Sequence, residues 1–258
     1  MKQVWNIGYK VLAVGLVLYS ITYGLLVKMP LMNALWGQSV RGILYHVPMW
    51  FAEIVLMTIS VVFSIRVLRA LDPDRKVRID PLPLDIKARE AALVGILFNA
   101  LGLATGIVWQ RVTWGDSLPS DDFAAWWAWD PIQVCALVGM LIYLAYFLLR
   151  SSFTEPEQRA RVGAVYNVFA FALLIPLFFV IPAMLDGLHP TSNGSEAGGG
   201  SFVAKGQVDN TVRMVLYPGM LGFILMGVWL WEVRYRLSLV RQRFEDWTAD
   251  RTYAMENA

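Results

Sequence analysis

Two histidines, His46 and His189, are the only imidazoles in this 258-residue chain. Neutral imidazole is the commonest side-chain ligand for metals and a usual axial ligand of heme iron. His46 stands in Arg41-Gly-Ile-Leu-Tyr-His46-Val-Pro48, and His189 in Asp186-Gly-Leu-His189-Pro190. Between them in sequence come Trp114-Gly115 and then Phe123-Ala-Ala-Trp126-Trp127-Ala-Trp129-Asp130-Pro131. Tryptophan faces offer large apolar area and offset stacking. Three of them within four residues would make a platform for a large flat ligand, and a porphyrin fits that description. The plainer alternatives stay open at this point. An interfacial histidine can be satisfied by water, and tryptophans gather in belts at membrane boundaries, which suits Trp36, Trp50, Trp229 and Trp231.

The elements that must position these residues are legible in the composition. Hydrophobic residues make up 57% of the chain and charged ones only 16%, against roughly 25% charged in soluble domains. The apolar residues fall into six long, largely uncharged runs: Tyr9–Val27, Ile43–Ile65, Ala91–Trp109, Pro131–Leu149, Val162–Leu185 and Val212–Val233. About 20 apolar residues in a helix cross a ~30 Å hydrocarbon core, and backbone groups cannot stay unpaired in lipid. The runs lack the alternation of barrel strands. The expected fold is all-α, a polytopic membrane protein of six transmembrane helices forming a single domain over 1–258. The first run reads as a retained span rather than a cleaved leader.

Charge sets the sidedness. Seventeen of the 22 Lys and Arg residues flank one side, in Lys2–Lys10, Arg66–Arg89, Arg150–Arg161 and the tail from Arg234. The remaining five are Lys28, Arg41, Arg111, Lys205 and Arg213. Cytoplasmic segments carry the positive excess, so both termini are expected in the cytoplasm. Both histidines and the tryptophan-rich loop, about 110–130, then share the outer face with a Gly/Ser-rich, mobile loop at about 186–211. The tail, about 234–258, is cytoplasmic. A net charge of +2 gives no reason to invoke nucleic acid. The lone Cys135 excludes an internal disulfide and any Cys-x-x-Cys motif.

Neighbouring residues have assignable roles. Asp130-Pro131 reads as an N-cap followed by proline in the first turn, which would pin the tryptophan segment onto helix four. Glu53 falls two helical turns after His46, inside the membrane. A charged group there costs about 2.5–3.5 kcal/mol, so it should face the bundle interior, as a group beneath the histidine site or as a protonated packing contact. Asn99 and Asn167 are expected to hydrogen-bond between helices. Arg41 and Arg111 could meet heme propionates or lipid headgroups.

Taken together, Leu44-Tyr45-His46-Val47-Pro48, Trp126-Trp127-Ala-Trp129-Asp130 and Leu188-His189-Pro190 resemble the CcmC family of heme exporter proteins, within the CcmC/CcsA group that carries a "WWD" domain. The likeness runs from the first helix to the sixth and includes Leu141-Ile142-Tyr143 and Arg159-Ala-Arg161. It implies a role in bacterial cytochrome c maturation, not an enzyme's. By position it makes His46 and His189 axial ligands of heme b, and assigns Trp114, Gly115, Trp126, Trp127, Trp129 and Asp130 to the motif. It also implies delivery of heme at the periplasmic face to the chaperone CcmE, with CcmA, CcmB and CcmD as membrane partners. This chain departs from the pattern in two places. Asp116–Phe123 looks like an insertion, and Ile132 stands where the family often has a basic residue. Other readings are a CcsA-like component that also attaches heme, or a transporter permease or scaffold subunit without heme. A redox protein is disfavoured, since such proteins usually hold heme between helices with intramembrane histidines.

Overall fold

The computed structural model describes residues 2–29, 37–74, 79–115, 126–189 and 209–256. Trp36, the basic cluster Arg75–Arg78, the Asp116–Phe123 insertion and the Gly194–Gly206 loop lie outside the described residues. The fold is all-helical. Its main elements are α1 (Lys2–Leu26), α2 (Ile43–Ala70), α3 (Leu82–Trp114), α4 (Pro131–Ser151), α5 (Pro156–Ile175) and α6 (Asn210–Glu256). A 3-10 helix, Gly37–Gly42, leads into α2. A π-helical turn, Pro176–Val180, and a last α-turn, Ile181–Met184, prolong α5. Six helical segments among the described residues are long and apolar enough to cross a membrane.

Local chemistry places the helix starts. Asp130 caps α4 by accepting from the Ile132 N–H at 3.1 Å, with Pro131 in the first turn. Glu155 caps α5 in the same way, accepting from Glu157 and Gln158 ahead of Pro156. At the π-turn, Pro176 has no N–H to donate to the preceding turn, and the ladder widens there. Such turns inside α-helices recur near functional sites.

Helix α2 is the spine, packed along α3 and touching α5 and α6, while α1 lies against α6. Alanines at the contacts, among them Ala52, Ala92, Ala136 and Ala170, are buried; small side chains let helices approach closely where no hydrophobic drive from water is available. The expected interhelical amides are in place. Asn99 donates to Glu53 Oε1 at 2.9 Å, and Asn167 donates to Ser60 and Ser64 at 2.6 and 2.7 Å.

Two boundaries differ from the sequence reading. Helix α3 begins at Leu82 rather than near Ala91, and so takes in Asp85, Lys87, Arg89 and Glu90. Asp85, Arg89 and Glu90 are tolerated because they are paired, and the Lys87 ammonium lies over the Phe63 and Tyr235 rings at 5.1 and 5.0 Å. Arg150 holds Asp85 through both carboxylate oxygens at 2.7 and 2.6 Å, and Glu90 meets Arg89, Arg234 and Ser238. The tail after residue 233 does not break away either; α6 continues as helix to Glu256.

Candidate functional site: two histidines among tryptophans

His46 occupies the first turn of α2 with its ring buried at 6% exposure. Its Nδ1 lies 3.0 Å from the Gly102 carbonyl oxygen of α3. A carbonyl can only accept, so Nδ1 carries the hydrogen and donates. On the other side the Trp50 indole N–H, which can only donate, sits 3.0 Å from Nε2. The two partners together fix the tautomer: Nε2 holds the lone pair, and Trp50, one turn along the same helix, occupies it. The close approach of α3 depends on missing side chains. A Cβ on Gly106 would lie 2.7 Å from His46 Cε1, and one on Gly102 would lie 2.9 Å from the Trp50 ring.

His189 arrives from the far side, on the short segment that follows α5. That segment is held by one carboxylate. Asp130 Oδ2 accepts from the backbone N–H groups of Leu188 at 2.6 Å and His189 at 3.2 Å, while Oδ1 caps α4. A single buried aspartate thus joins the end of the tryptophan segment to the second histidine. Loss of water around the His189 ring lowers its pKa to about 4, so the ring is neutral near pH 7.

The two imidazole centres are 6.3 Å apart. Metal–imidazole nitrogen bonds are about 2.0–2.1 Å, so two imidazoles on opposite faces of one metal have ring centres roughly 6 Å apart. Clefts open on both sides of the pair, with about 520 and 570 Å³ of open space; both are walled by Trp50, Ile132 and Ala136. The first adds Trp109 and Trp114, and the second adds Phe51 and Phe178. Trp109 is a shared wall of indole, 5.7 Å from the His46 ring and 6.5 Å from His189. Two imidazoles with ring centres at this spacing, in apolar surroundings, are a donor set that suits a planar iron macrocycle. Among the described residues no group of three or more His, Cys, Asp or Glu forms a bare-ion site.

The profile of the family described as cytochrome c assembly protein matches residues 5–189, which take in both histidines and the whole tryptophan segment. The chain belongs to the cytochrome c assembly protein family. It is 27% identical to heme exporter protein C of Paracoccus denitrificans over 80% of this chain and 76% of that protein. It is 26% identical to the Haemophilus influenzae protein of the same name, over 58% of this chain and 55% of that one. The cytochrome c biogenesis protein CcsA of Prochlorococcus marinus strain CCMP1986 is 36% identical over 41% of this chain and 30% of its own length.

Within this assembly-protein frame the expected site residues divide into two groups. His46, His189, Trp114 and Asp130 line one cleft together. Trp126, Trp127 and Trp129 stand beside it. Trp127 and Trp129 meet edge to face at 6.0 Å, and the Arg111 guanidinium lies 6.0 Å over the Trp126 ring. Trp129 is 68% exposed and is held at φ 56°, a left-handed conformation that costs a bulky residue energy. The Asp130 cap that follows it forces the chain to turn there. Gly115 closes α3 against the Arg111 side chain. Arg41 is turned toward α1, donating to the carbonyls of Gly24, Leu25 and Val27. Sequence reasoning overlooked Trp50, assigned to the interfacial belt, and Trp109, taken only as the end of the third apolar run. The missed signal for Trp50 was its spacing of four residues from His46, which puts the two side chains on one helical face.

Proposed function

We propose that this chain, a multi-pass bacterial inner-membrane protein of cytochrome c maturation, binds heme b between His46 and His189 and delivers it to the chaperone CcmE, alongside CcmA, CcmB and CcmD. The histidine end faces the periplasm and both termini the cytoplasm, following the positive-charge bias. One observation carries the reading: the two imidazoles stand 6.3 Å apart with an apolar cleft on each side.

His46 and His189 would hold the heme by its iron, which accepts imidazole nitrogen as a ligand. The protein's part is to present those nitrogens. The Gly102 carbonyl holds the Nδ1–H of His46 and so leaves Nε2 as the nitrogen that would meet the iron, an orienting role typical of groups behind a ligating histidine. Trp50 must turn its N–H away before Nε2 is available. Asp130 holds the His189 segment in place by its backbone. Trp109 and Trp114 cover the faces of the cleft, Arg111 supplies a cation for a propionate, with Arg41 as the alternative, and Trp126, Trp127 and Trp129 form the apolar rim at which the chaperone meets the cargo.

Absorbance tests this directly. The purified chain should show a Soret band that weakens or shifts in His46→Ala and in His189→Ala. Identical spectra for the wild type and the double variant would refute the ligand assignment. Trp126→Ala with Trp127→Ala should abolish heme delivery while the protein remains inserted, and CcmE should copurify only with the heme-loaded form.

A further inference from the structure

Helix α6 is longer than a membrane requires. Its 47 residues extend about 70 Å at 1.5 Å per residue, against ~30 Å of hydrocarbon. Its first part is fastened to the bundle, through Val212, Val215 and Leu216 at the histidine end and Phe223, Ile224, Leu230 and Trp231 lower down. The last such ties are Arg234 to Glu90 at 2.9 Å and Ser238 to Glu90 at 2.8 Å. Beginning beside these ties and running past them, the helix carries an apolar row facing outward: Val233, Leu237, Val240, Phe244 and Trp247, between 48% and 62% exposed.

The spacing of this row is four, three, four, three, the a/d seam of a coiled coil. Charges are sorted around it. Arg234 and Arg241 take the flanking positions on one side, and Arg236 and Arg243 those on the other, while Glu245 and Asp246 lie on the far face. The flanking arginines make intrachain ion pairs: Arg234 with Glu90, Arg236 with Glu232 at 3.7 Å and Arg241 with Glu245 at 2.9 Å. The last two are i,i+4 pairs on the helix surface, worth only about 0.3–0.5 kcal/mol, and exchange readily for interchain pairs. Arg251, four residues on at the next seam position, lies 4.8 Å over the Trp247 ring and ends the apolar row.

We infer that this stripe is one strand of a two-stranded coiled coil, whose other strand is a helix of a different protein with acidic residues flanking its own apolar row. Flanking charges choose the partner in such pairs. A second copy of this chain is disfavoured in either direction: a parallel pair sets Arg236 against the other copy's Arg241, and an antiparallel pair sets like flanks against like. The membrane surface is disfavoured because the helix runs unbroken from Asn210 to Glu256, with Pro218 far from the stripe, so the apolar row leaves along the helix axis instead of lying in the interface.

The test uses the full chain in nanodiscs of neutral lipid, with no heme involved, so it stands apart from the heme reading. Two synthetic helical peptides carry leucine at the seam positions, one flanked by glutamate and one by lysine. The acidic peptide should bind at least tenfold more tightly than the basic one. Val240→Glu with Phe244→Glu should abolish that binding, and Arg236→Glu with Arg243→Glu should reverse the preference. The reversal guards against a merely structural loss. Equal binding of both peptides, or of neither, overturns the proposal. Self-association of the wild type that Val240→Glu abolishes would assign the stripe to a second copy instead, and stripe-dependent capture of phosphatidylglycerol vesicles would assign it to lipid; either result also overturns it.

Discussion

The two ends of the bundle use opposite strategies. At the end away from the histidines, buried polar groups are locked in pairs. Arg150 and Asp85 grip each other through two hydrogen bonds with both side chains 6% exposed, and Glu90 is ringed by Arg89, Arg234 and Ser238. At the histidine end the polar groups are few, the surroundings are indole and aliphatic, and clefts stay open between the helices. A closed polar clasp fixes the helices relative to one another without offering a ligand anything. An open apolar site with a hydrogen-bonded imidazole pair offers a great deal and contributes little rigidity. Separating the two jobs lets the ligand end exchange its contents while the other end keeps the bundle registered.

That contrast can be broken most forcefully at the clasp. Asp85→Ala strands the Arg150 guanidinium in the bundle interior. Removing one partner of a buried pair costs on the order of 3–5 kcal/mol, so folded protein recovered after extraction and its Tm should both drop sharply. Replacing both, as Asp85→Leu with Arg150→Met, should recover most of the loss, because the pair offsets its own desolvation rather than adding much net stability. Neither variant should alter the Soret position of whatever folded protein remains.

At the open end the expected effects are smaller and fall on binding. Gly106→Ala drives a methyl group into His46 Cε1, which lies 2.7 Å away. Overpacking of this kind costs about 1–3 kcal/mol, and relief by displacing the ring should weaken heme binding by about tenfold or more with a shifted Soret band. An unchanged spectrum would show that His46 need not hold its observed place. Trp50→Phe works in the opposite direction. It removes the N–H that occupies His46 Nε2, and a hydrogen bond is worth about 1 kcal/mol net. Heme titration of this variant should show binding about fivefold tighter than the wild type, whereas weaker binding would make Trp50 a wall of the site and nothing more.

The same contrast explains which features could be read from sequence. Spans follow from local composition, so six helices were legible before any coordinates, as was the placing of His46 and His189 at one end of the bundle. The Asp130 cap was legible too, since capping needs only neighbours in sequence. Its second oxygen, which holds the backbone of Leu188 and His189 across 58 residues of chain, was not. Asp85 and Glu90 read as loop residues because charge is costly in a span; only their partners Arg150, Arg234 and Ser238, brought by other helices, make them helical and buried. Trp50 read as a membrane anchor because a belt is the commoner use of tryptophan near a boundary, Trp109 read only as the end of a span, and the role of both at the pair depends on how α2 meets α3.

The smallest expected effect is a pH dependence confined to the open end. His189 in the folded chain is held at about 4 by loss of water, whereas an exposed histidine titrates near 6.5. Between those values the unfolded chain binds a proton that the folded chain refuses, so stability is complete above about pH 6.5 and declines as the pH falls toward 4. Heme-free wild type should therefore lose Tm across this window, and His189→Asn should lose less over the same interval. Carboxylates contribute to both curves and cancel in the difference between them. If the two proteins decline in parallel, His189 is solvated in the folded state, and the apolar character of the cleft around it would have to be given up.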